Sequence, residues 1–365
     1  MSQLAVNDSR ADQRPTHARG FGADRQSLER ELERHGIALP IRHHVEWLRA
    51  EGASDALLCV ARDPEGAPVA ATVAAVAPSR ALPGHHLYRV ERFSSSSDAA
   101  DDALLSTLAD AARRDRRCLR LSVELFERDA GRRNRLGETL GALGFVREAV
   151  PRNYRRTVSM ELTSGEAAIF AGLAGKVRRD VRAPVKKGLV VRSVEDPALA
   201  PRLDALMNET YARTGGHAPP MPWSTIIELS GRYPERSRVS GLFDPNTPGL
   251  DSIVAFAWGA VHGRCATYEA GASTRRPDLS KVPIAYSTLW DVMAWSCSTH
   301  ATWFDLGGIT EGEPGSDPLA GISAFKRYFS DEIVDVGEEW TLEPRLVTGA
   351  IARAVSAMAR RVRSR

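Results

Sequence analysis

The sequence predicts an α/β protein of two consecutive halves, each a mixed β-sheet flanked by helices. Three observations lead to this prediction. The 365 residues exceed the usual size of one hydrophobic core. The composition, 43% apolar and 26% charged, is that of a soluble globular protein. One series of strand and helix patterns also occurs twice, with an offset of about 184 residues between Phe145 and Phe329.

The N-terminal segment 1–22 is polar and lacks the apolar stretch of a secretion signal, so we expect a disordered leader on a cytoplasmic protein. No apolar run approaches the ~20 residues that cross a bilayer, which argues against an integral membrane protein. The four cysteines are widely spaced, with no CxxC pair and no histidine at metal-ligand spacing. We therefore expect buried thiols and no metal site.

The first half is assigned to residues 23–155. Alternating or continuous apolar residues predict strands, and apolar residues at intervals of three and four predict helices. In chain order the elements are a strand at 56–61, a DPEG turn, a strand at 68–76, a helix at 101–114, a strand at 118–125 and a short helix at 135–143.

The second half is assigned to residues 156–345, with the boundary falling between 151 and 161. It repeats the series of the first half element by element. The counterparts are a strand at 239–243, a DPN turn, a strand at 253–261, a helix at 284–297, a strand at 302–306 and a short helix at 323–329. Each unit therefore has the order strand, turn, strand, helix, strand, helix, strand, in which helices cover a mixed sheet.

The last segment, 346–365, is predicted to form a basic C-terminal helix with apolar residues beside its basic face. Two roles fit this pattern. The helix packs on its own domain, or it makes a peripheral contact with an anionic membrane that holds a lipid-linked acceptor.

Basic residues are dense in the middle of the chain. Arg178, Arg182 and Lys186 are spaced so that a helix through them presents one basic face until Pro184 interrupts it. Such a face suits phosphate binding, either of tRNA or of a nucleotide-linked acceptor. The alternative is an ordinary solvated helix face.

Several motifs of the second half resemble those of the FemABX aminoacyltransferases, which form peptide bonds from aminoacyl-tRNA. The motifs are KVRRDVR (176–182) with KKGLVV (186–191), YEAGAS (268–273), and FDLGG (304–308) followed by GISAFKRYF (321–329). The resemblance covers about 152–343 well and the first half only through its architecture. The coiled-coil arm of the members that resemble seryl-tRNA synthetase is missing, so the arm-less form is the one implied.

The resemblance implies two tandem acetyltransferase-like domains of the GNAT fold, with catalysis in the second. It also implies an acyltransferase that uses aminoacyl-tRNA as co-substrate and needs no further cofactor. The acceptor would be an amine of a peptide or of a nucleotide- or lipid-linked cell-envelope precursor, as in peptidoglycan synthesis.

The candidate catalytic residues begin with Lys326, which follows a Gly-rich loop and is flanked by Phe325 and Phe329. An ammonium group in dry surroundings would stabilise the oxyanion that forms when an amine attacks an ester, an effect worth ~3 to 4 kcal/mol. In FemABX proteins the matching Phe-Lys pair lies at the active site, and the resemblance carries that role to Phe325 and Lys326. The alternative is a surface lysine beside two core aromatics.

Three further positions complete the predicted site. Asp305 ends a strand and would orient or deprotonate the amine, or else cap the following turn. Gly307 and Gly308 would let the backbone approach a bound substrate closely. Tyr268 would hydrogen-bond the acceptor, or else simply pack within its strand.

Two other functions remain open from the sequence. An acyl-CoA-dependent N-acetyltransferase would share the fold but holds pyrophosphate on a Gly-rich loop before a helix. The corresponding segments, RRPDLSKVP (275–283) and FSSSS (93–97), contain no glycine, which argues against CoA. A non-catalytic protein that binds RNA or another polyanion would use the basic residues alone.

Overall fold

The computed structural model describes residues 16–93, 98–213, 216–310 and 320–363. Fourteen strands and eleven α-helices lie within these ranges. The strands are β1 (Thr16–Arg19), β2 (Asp55–Arg62), β3 (Pro68–Pro78), β4 (His86–Phe93), β5 (Cys118–Phe126), β6 (Val146–Arg147), β7 (Arg156–Glu161), β8 (Val190–Ser193), β9 (Ser237–Phe243), β10 (Ile253–His262), β11 (Cys265–Ser273), β12 (Trp303–Gly308), β13 (Ile333–Asp335) and β14 (Gly337–Leu342).

The helices separate and cover these strands. They are α1 (Ala23–Arg34), α2 (Val45–Ala50), α3 (Asp98–Arg114), α4 (Ala130–Ala142), α5 (Glu166–Gly172), α6 (Gly175–Lys186), α7 (Ala200–Ala212), α8 (Trp223–Arg232), α9 (Ile284–Cys297), α10 (Ala320–Arg327) and α11 (Leu346–Arg363).

The strands form two mixed sheets of seven strands each, and the predicted fold of two tandem GNAT-like domains is confirmed. The first sheet has the order β1-β2-β3-β4-β5-β14-β6, and the second has the order β13-β7-β12-β11-β10-β9-β8. In each sheet one pair is parallel, β4 with β5 and β11 with β12, because a helix connects the two strands.

The sequence repeat corresponds to real elements in both halves. In the first half the repeated units are β2, β3, α3, β5 and α4, and in the second they are β9, β10, α9, β12 and α10. The helix pattern of α3 buries Leu104, Leu105 and Leu108 against the first sheet. In the second sheet every residue of β10 is buried, as expected for a central strand covered on both faces.

The first sheet takes one strand from the C-terminal part of the chain, which the sequence did not predict. Strand β14 inserts between β5 and β6 of the first sheet, and β7 lies between β12 and β13 of the second. The proposed domain of residues 156–345 is therefore wrong at its end, since β14 belongs to the first sheet. Through β14 the chain returns from the second sheet to the first.

Two other predictions need correction. The leader was drawn to residue 22, but Thr16–Arg19 pairs with β2 as an antiparallel edge strand, and α1 begins at Ala23. Residues 1–15 lie outside the described residues. Helix α6 continues through Pro184 to Lys186 instead of breaking at the proline, and it ends before Gly188, which has φ +85°.

Candidate active site

The second sheet opens between its two parallel strands. Strands β11 and β12 pair at only three positions, the last of which joins Thr267 to Asp305. Beyond that point β11 continues to Ser273 beside β10, and β12 continues to Gly308 beside β7. The two strands no longer pair with each other there, so the sheet parts between them beyond Thr267 and Asp305.

Asp305 lies at the point where the strands part and is fully buried. Its Oδ1 accepts hydrogen bonds from the Gly307 amide, at 2.7 Å, and from the Thr157 hydroxyl, while Oδ2 accepts one from the Tyr154 hydroxyl. Burial raises the pKa of Asp305, although Arg92 and these donors oppose the shift. Asp305 thus caps the turn at Gly307, and direct activation of an amine by Asp305 stays a prediction.

The twin glycines are needed for close packing within the protein. Gly307 has φ +86°, and a Cβ on it would lie 2.9 Å from Nζ of Lys326. A Cβ on Gly308 would lie 2.5 Å from the Tyr154 side chain. The groups that approach these glycines in the structure are therefore Lys326 and Tyr154. Substrate binding by the two glycines stays a prediction.

Lys326 brings a buried ammonium group to this opening. Only 7% of the residue is exposed, and Nζ donates a hydrogen bond of 2.7 Å to the Gly308 carbonyl. A Cβ built on Gly307 would lie against Nζ, and it would also lie 3.5 Å from the carbonyl oxygen of Tyr268 on β11. Burial lowers the pKa of Lys326 from 10.5 to about 8, with Asp305 opposing the shift. The group is therefore mostly protonated at neutral pH.

Aromatic side chains line the helices beside Lys326. The ring of Phe325 meets Tyr286 of α9 edge-on at 5.0 Å and Phe329 at 5.6 Å. Phe329 is buried, and Phe325 is partly buried against the same cluster. Phe325, Phe329 and Tyr286 thus form one aromatic cluster, and Phe325 is next to Lys326 along the chain.

Tyr268 is the first residue of β11 beyond its pairing with β12. Its hydroxyl lies over Gly271, where a Cβ would come within 2.2 Å of that oxygen. Burial raises the pKa of Tyr268, so the phenol stays protonated and can donate a hydrogen bond. Contact between Tyr268 and an acceptor remains a prediction.

A charged cluster that joins the two halves was missed by the sequence analysis. Arg92, on β4 of the first half, donates hydrogen bonds to Thr267 at 2.7 Å and to the Tyr154 hydroxyl at 3.3 Å. Its guanidinium also lies 3.9 Å from Asp305 and over the ring of Phe126. Arg92 lies outside every element that the sequence analysis assigned, so no pattern singled it out.

Glu269 is the anionic centre of the same cluster. It pairs with Arg42 at 2.7 Å and lies 3.7 Å from Arg92, and it contacts His262 at 3.0 Å. Burial acts to raise the pKa of Glu269, but the two arginines hold it well below its usual range. Glu269 belongs to the YEAGAS motif, yet its arginine partners come from the other half, so the motif alone could not reveal this pair.

The three predicted phosphate-binding residues of α6 separate into two groups. Arg178 donates to the carbonyls of Ala171 and Leu173 and so fastens the end of α5 to α6. Arg182 and Lys186 instead line an open cavity of about 920 Å³ between α5, α6 and α9. Phe170 and Trp290, with ring centroids 4.7 Å apart, form the aromatic side of this cavity, and Arg182 lies over Phe170.

The segment where a CoA-binding loop would lie is also in its expected place. Residues 274–283 connect β11 to α9 and contain no glycine. Arg276 in this segment is held by Asp244 at 2.7 Å and by Asp278 at 2.6 Å. The corresponding residues 94–97 of the first half lie outside the described residues.

Comparisons with known proteins agree with this architecture. Residues 175–327 match the family model described as an acetyltransferase (GNAT) domain. A crystal structure of FemX is similar over 91% of this chain and 99% of its own, with a TM-score of 0.69 and 14% identity. L-PGS from Bacillus licheniformis is similar over 92% of this chain and 98% of its own, with a TM-score of 0.50 and 12% identity.

No curated protein sequence matches the chain. At these identities the structural neighbours show the fold alone, and that fold is the one implied by the resemblance to FemABX proteins. The family match agrees with that fold over residues 175–327.

Proposed function

We propose that this GNAT-fold acyltransferase forms an amide bond by moving an aminoacyl group from aminoacyl-tRNA to an amine. The acceptor amine would belong to a peptide or to a cell-envelope precursor of the kind used in peptidoglycan synthesis. The observation that carries this proposal is the buried ammonium group of Lys326 at the opening between β11 and β12. With tRNA as donor, the reaction would take place in the cytoplasm.

The chemistry needs an aligned amine and a stabilised oxyanion. The amine nitrogen attacks the ester carbonyl, a C–N bond forms and the C–O bond to the ribose breaks. The proton lost by the amine goes to the leaving ribose oxygen. During attack the carbonyl oxygen gains negative charge, which the protonated Lys326 neutralises in a site dried by Phe325 and Phe329. The hydrogen bond to the Gly308 carbonyl keeps Nζ in place before the substrate arrives.

Two features support RNA as the donor. The cavity beside α6 combines the cations Arg182 and Lys186 with the aromatic faces of Phe170 and Trp290. Cations and stacking rings together suit a single-stranded nucleotide segment, because the cations pair with phosphates and the rings stack on bases. Lys176, at the start of the same helix, lies over Tyr328, two residues beyond Lys326, so α6 also carries a cation close to α10.

An acyl-CoA-dependent acetyltransferase is the second candidate, and the match to the acetyltransferase domain model favours it. The absence of glycine from residues 274–283 opposes it, since side chains there hinder the backbone amides from cradling pyrophosphate. The salt bridges of Arg276 further occupy the segment.

A donor assay separates the two candidates. The purified chain is incubated with tRNA charged with radioactive amino acids, or with radioactive acetyl-CoA, and with a nucleotide-linked peptide precursor as acceptor. We expect label to move from tRNA to the acceptor amine and ribonuclease treatment of the donor to abolish transfer. Transfer that survives ribonuclease, or that requires the CoA thioester, would overturn the proposal. A chain that binds RNA but transfers no label would be a non-catalytic binder.

A further inference from the structure

The C-terminal helix α11 carries an aliphatic stripe that the described part of the chain leaves uncovered. Val347, Ile351, Val355 and Met358 follow the spacing of one helix face. Their exposed fractions are 75%, 50%, 39% and 66%. Within the described residues none of the four joins a hydrophobic cluster. A continuous exposed stripe of this kind usually marks an interaction surface.

The opposite face of α11 attaches the helix to the protein. Arg353 pairs with Glu343, and a Cβ on Gly349, one turn earlier, would lie 2.9 Å from Oε2 of the same glutamate. Glu343 also receives Arg120 of β5 at 3.2 Å. Because the Gly349 and Arg353 side faces the body of the protein, the aliphatic stripe on the other side points away from it.

The charged residues of the segment that contains α11 are all basic. Residues 346–365 include five arginines and no acidic residue. An aliphatic stripe on a helix whose polar residues include several arginines is the pattern of a helix that lies flat in the interface of an anionic bilayer. Among the described residues no helix is both long enough and apolar enough to cross a membrane, so α11 would lie on the surface.

We propose that α11 binds peripherally to a bilayer surface rich in anionic lipids, with Val347, Ile351, Val355 and Met358 inserted among the acyl chains. Charge complementarity favours this partner over a second copy of the chain, since two copies would bring two groups of arginines together. It also favours lipid over nucleic acid, because a polyanion would leave the aliphatic stripe in water. Membrane binding through α11 is independent of the reaction at Lys326.

Vesicle flotation tests the proposal with the full chain. Vesicles of phosphatidylcholine alone are compared with vesicles in which about one third of the lipid is phosphatidylglycerol. We expect the chain to float with the anionic vesicles only, and to dissociate as salt is raised. The double substitution Ile351→Ser with Met358→Ser should lower the partition coefficient by about tenfold or more, because two inserted side chains lose their apolar contact.

Two matched variants control this experiment. Val146→Ser with Val150→Ser removes two exposed aliphatic residues from the first half, at 71% and 81% exposure, and should float like the wild type. Arg360→Gln with Arg361→Gln keeps the stripe and should weaken binding by about fivefold per arginine. Circular dichroism and thermal unfolding verify that every variant is folded.

Three outcomes would overturn the proposal. In the first, the wild-type chain fails to float with anionic vesicles. In the second, the variant Ile351→Ser with Met358→Ser floats as well as the wild type. In the third outcome, no flotation occurs and light scattering shows a dimer of the wild type that this variant converts to a monomer. That last result would assign the stripe to a second copy of the chain.

Discussion

The two halves share one order of elements but differ where their parallel strands meet. In the first half β4 and β5 pair at six positions, from His86 to Phe93. In the second half β11 and β12 pair at three positions and then part. The opening in the second half holds the buried ammonium of Lys326, whereas the end of β4 in the first half holds Arg92. The difference fits our proposal that catalysis belongs to the second half, with the first half supporting the site.

Arg92 shows what this support requires. Its backbone has φ +48°, a region that costs a non-glycine residue about 1 to 3 kcal/mol. The strained residue coincides with the break in register between β4 and β5, and its side chain crosses to Thr267 of β11. The first half thus gives up regular pairing at the end of β4 and gains a cation beside Asp305 and Glu269.

The largest expected effect comes from removing that cation. Arg92→Met should lower the free energy of unfolding by about 3 to 5 kcal/mol, because Glu269 and Asp305 lose a buried counter-charge. Urea denaturation measures the change. Arg114→Met, at a position whose side chain is 69% exposed, is the control and should change stability by less than about 0.5 kcal/mol. Equal stabilities for Arg92→Met and the wild type would contradict a supporting role of the first half.

Loss of the ammonium group in the second half should instead affect the reaction. Lys326→Met keeps a flexible side chain of similar length but removes the charge, and we expect kcat to fall by about 10² to 10³. Steady-state aminoacyl transfer is the measurement, with Lys187→Met as the control because Lys187 is exposed and does not line the cavity beside α6. A variant that keeps wild-type kcat would show that Lys326 is a structural lysine.

The same substitution should reveal the cost of burying Lys326. The pKa of Lys326 is about 8 in the folded chain, against an ordinary value of 10.5. Between pH 8 and pH 10.5, Lys326 is therefore protonated in the unfolded chain and mostly deprotonated in the folded chain. The unfolding free energy contributed by Lys326 therefore rises with pH across this window and is lowest below pH 8.

We accordingly expect Lys326→Met to be more stable than the wild type at neutral pH, by on the order of 2 kcal/mol. The advantage should shrink between about pH 8 and pH 10.5. Urea denaturation of both proteins across this range gives the difference, in which other titrating groups cancel. A difference that does not vary with pH would mean that the pKa of Lys326 is not lowered.

The sequence predicted the elements of the two halves better than their connections. Strands β2, β3, β9 and β10 and helices α3 and α9 follow from apolar spacing, which is a local property. The insertion of β14 between β5 and β6 depends on pairing between distant segments, and no local pattern distinguishes the partner of a short strand. The domain boundary was therefore wrong at β14.

The candidate site shows the same division. The motifs predicted that Gly307, Gly308 and Lys326 lie together, and they do. The two glycines end β12, and Lys326 on α10 donates a hydrogen bond to the Gly308 carbonyl. The hydrogen bond from Tyr154 to Asp305 exists only because β7, which follows Tyr154, pairs with β12. Arg92 shares no motif with the residues it contacts, so its role became visible only when the halves were seen to meet.

The smallest expected effect concerns the basic face of α6. Arg182→Ala and Lys186→Ala should each raise KM for aminoacyl-tRNA by about fivefold at low salt and leave kcat unchanged, since each removes one phosphate contact. The difference from the wild type should shrink as salt is raised. Steady-state kinetics at several salt concentrations, with Lys187→Ala as control, measure both effects.

Arg178→Ala provides the contrasting case on the same helix. Because Arg178 binds the carbonyls at the end of α5 and does not line the cavity, we expect lower stability, by about 1 kcal/mol, with KM unchanged. If Arg178→Ala raised KM as much as Lys186→Ala, RNA would have to lie along the whole of α6, including residues that close its contact with α5. The donor site would then extend beyond the cavity lined by Phe170 and Trp290, and the second half would bind its donor across α5 as well.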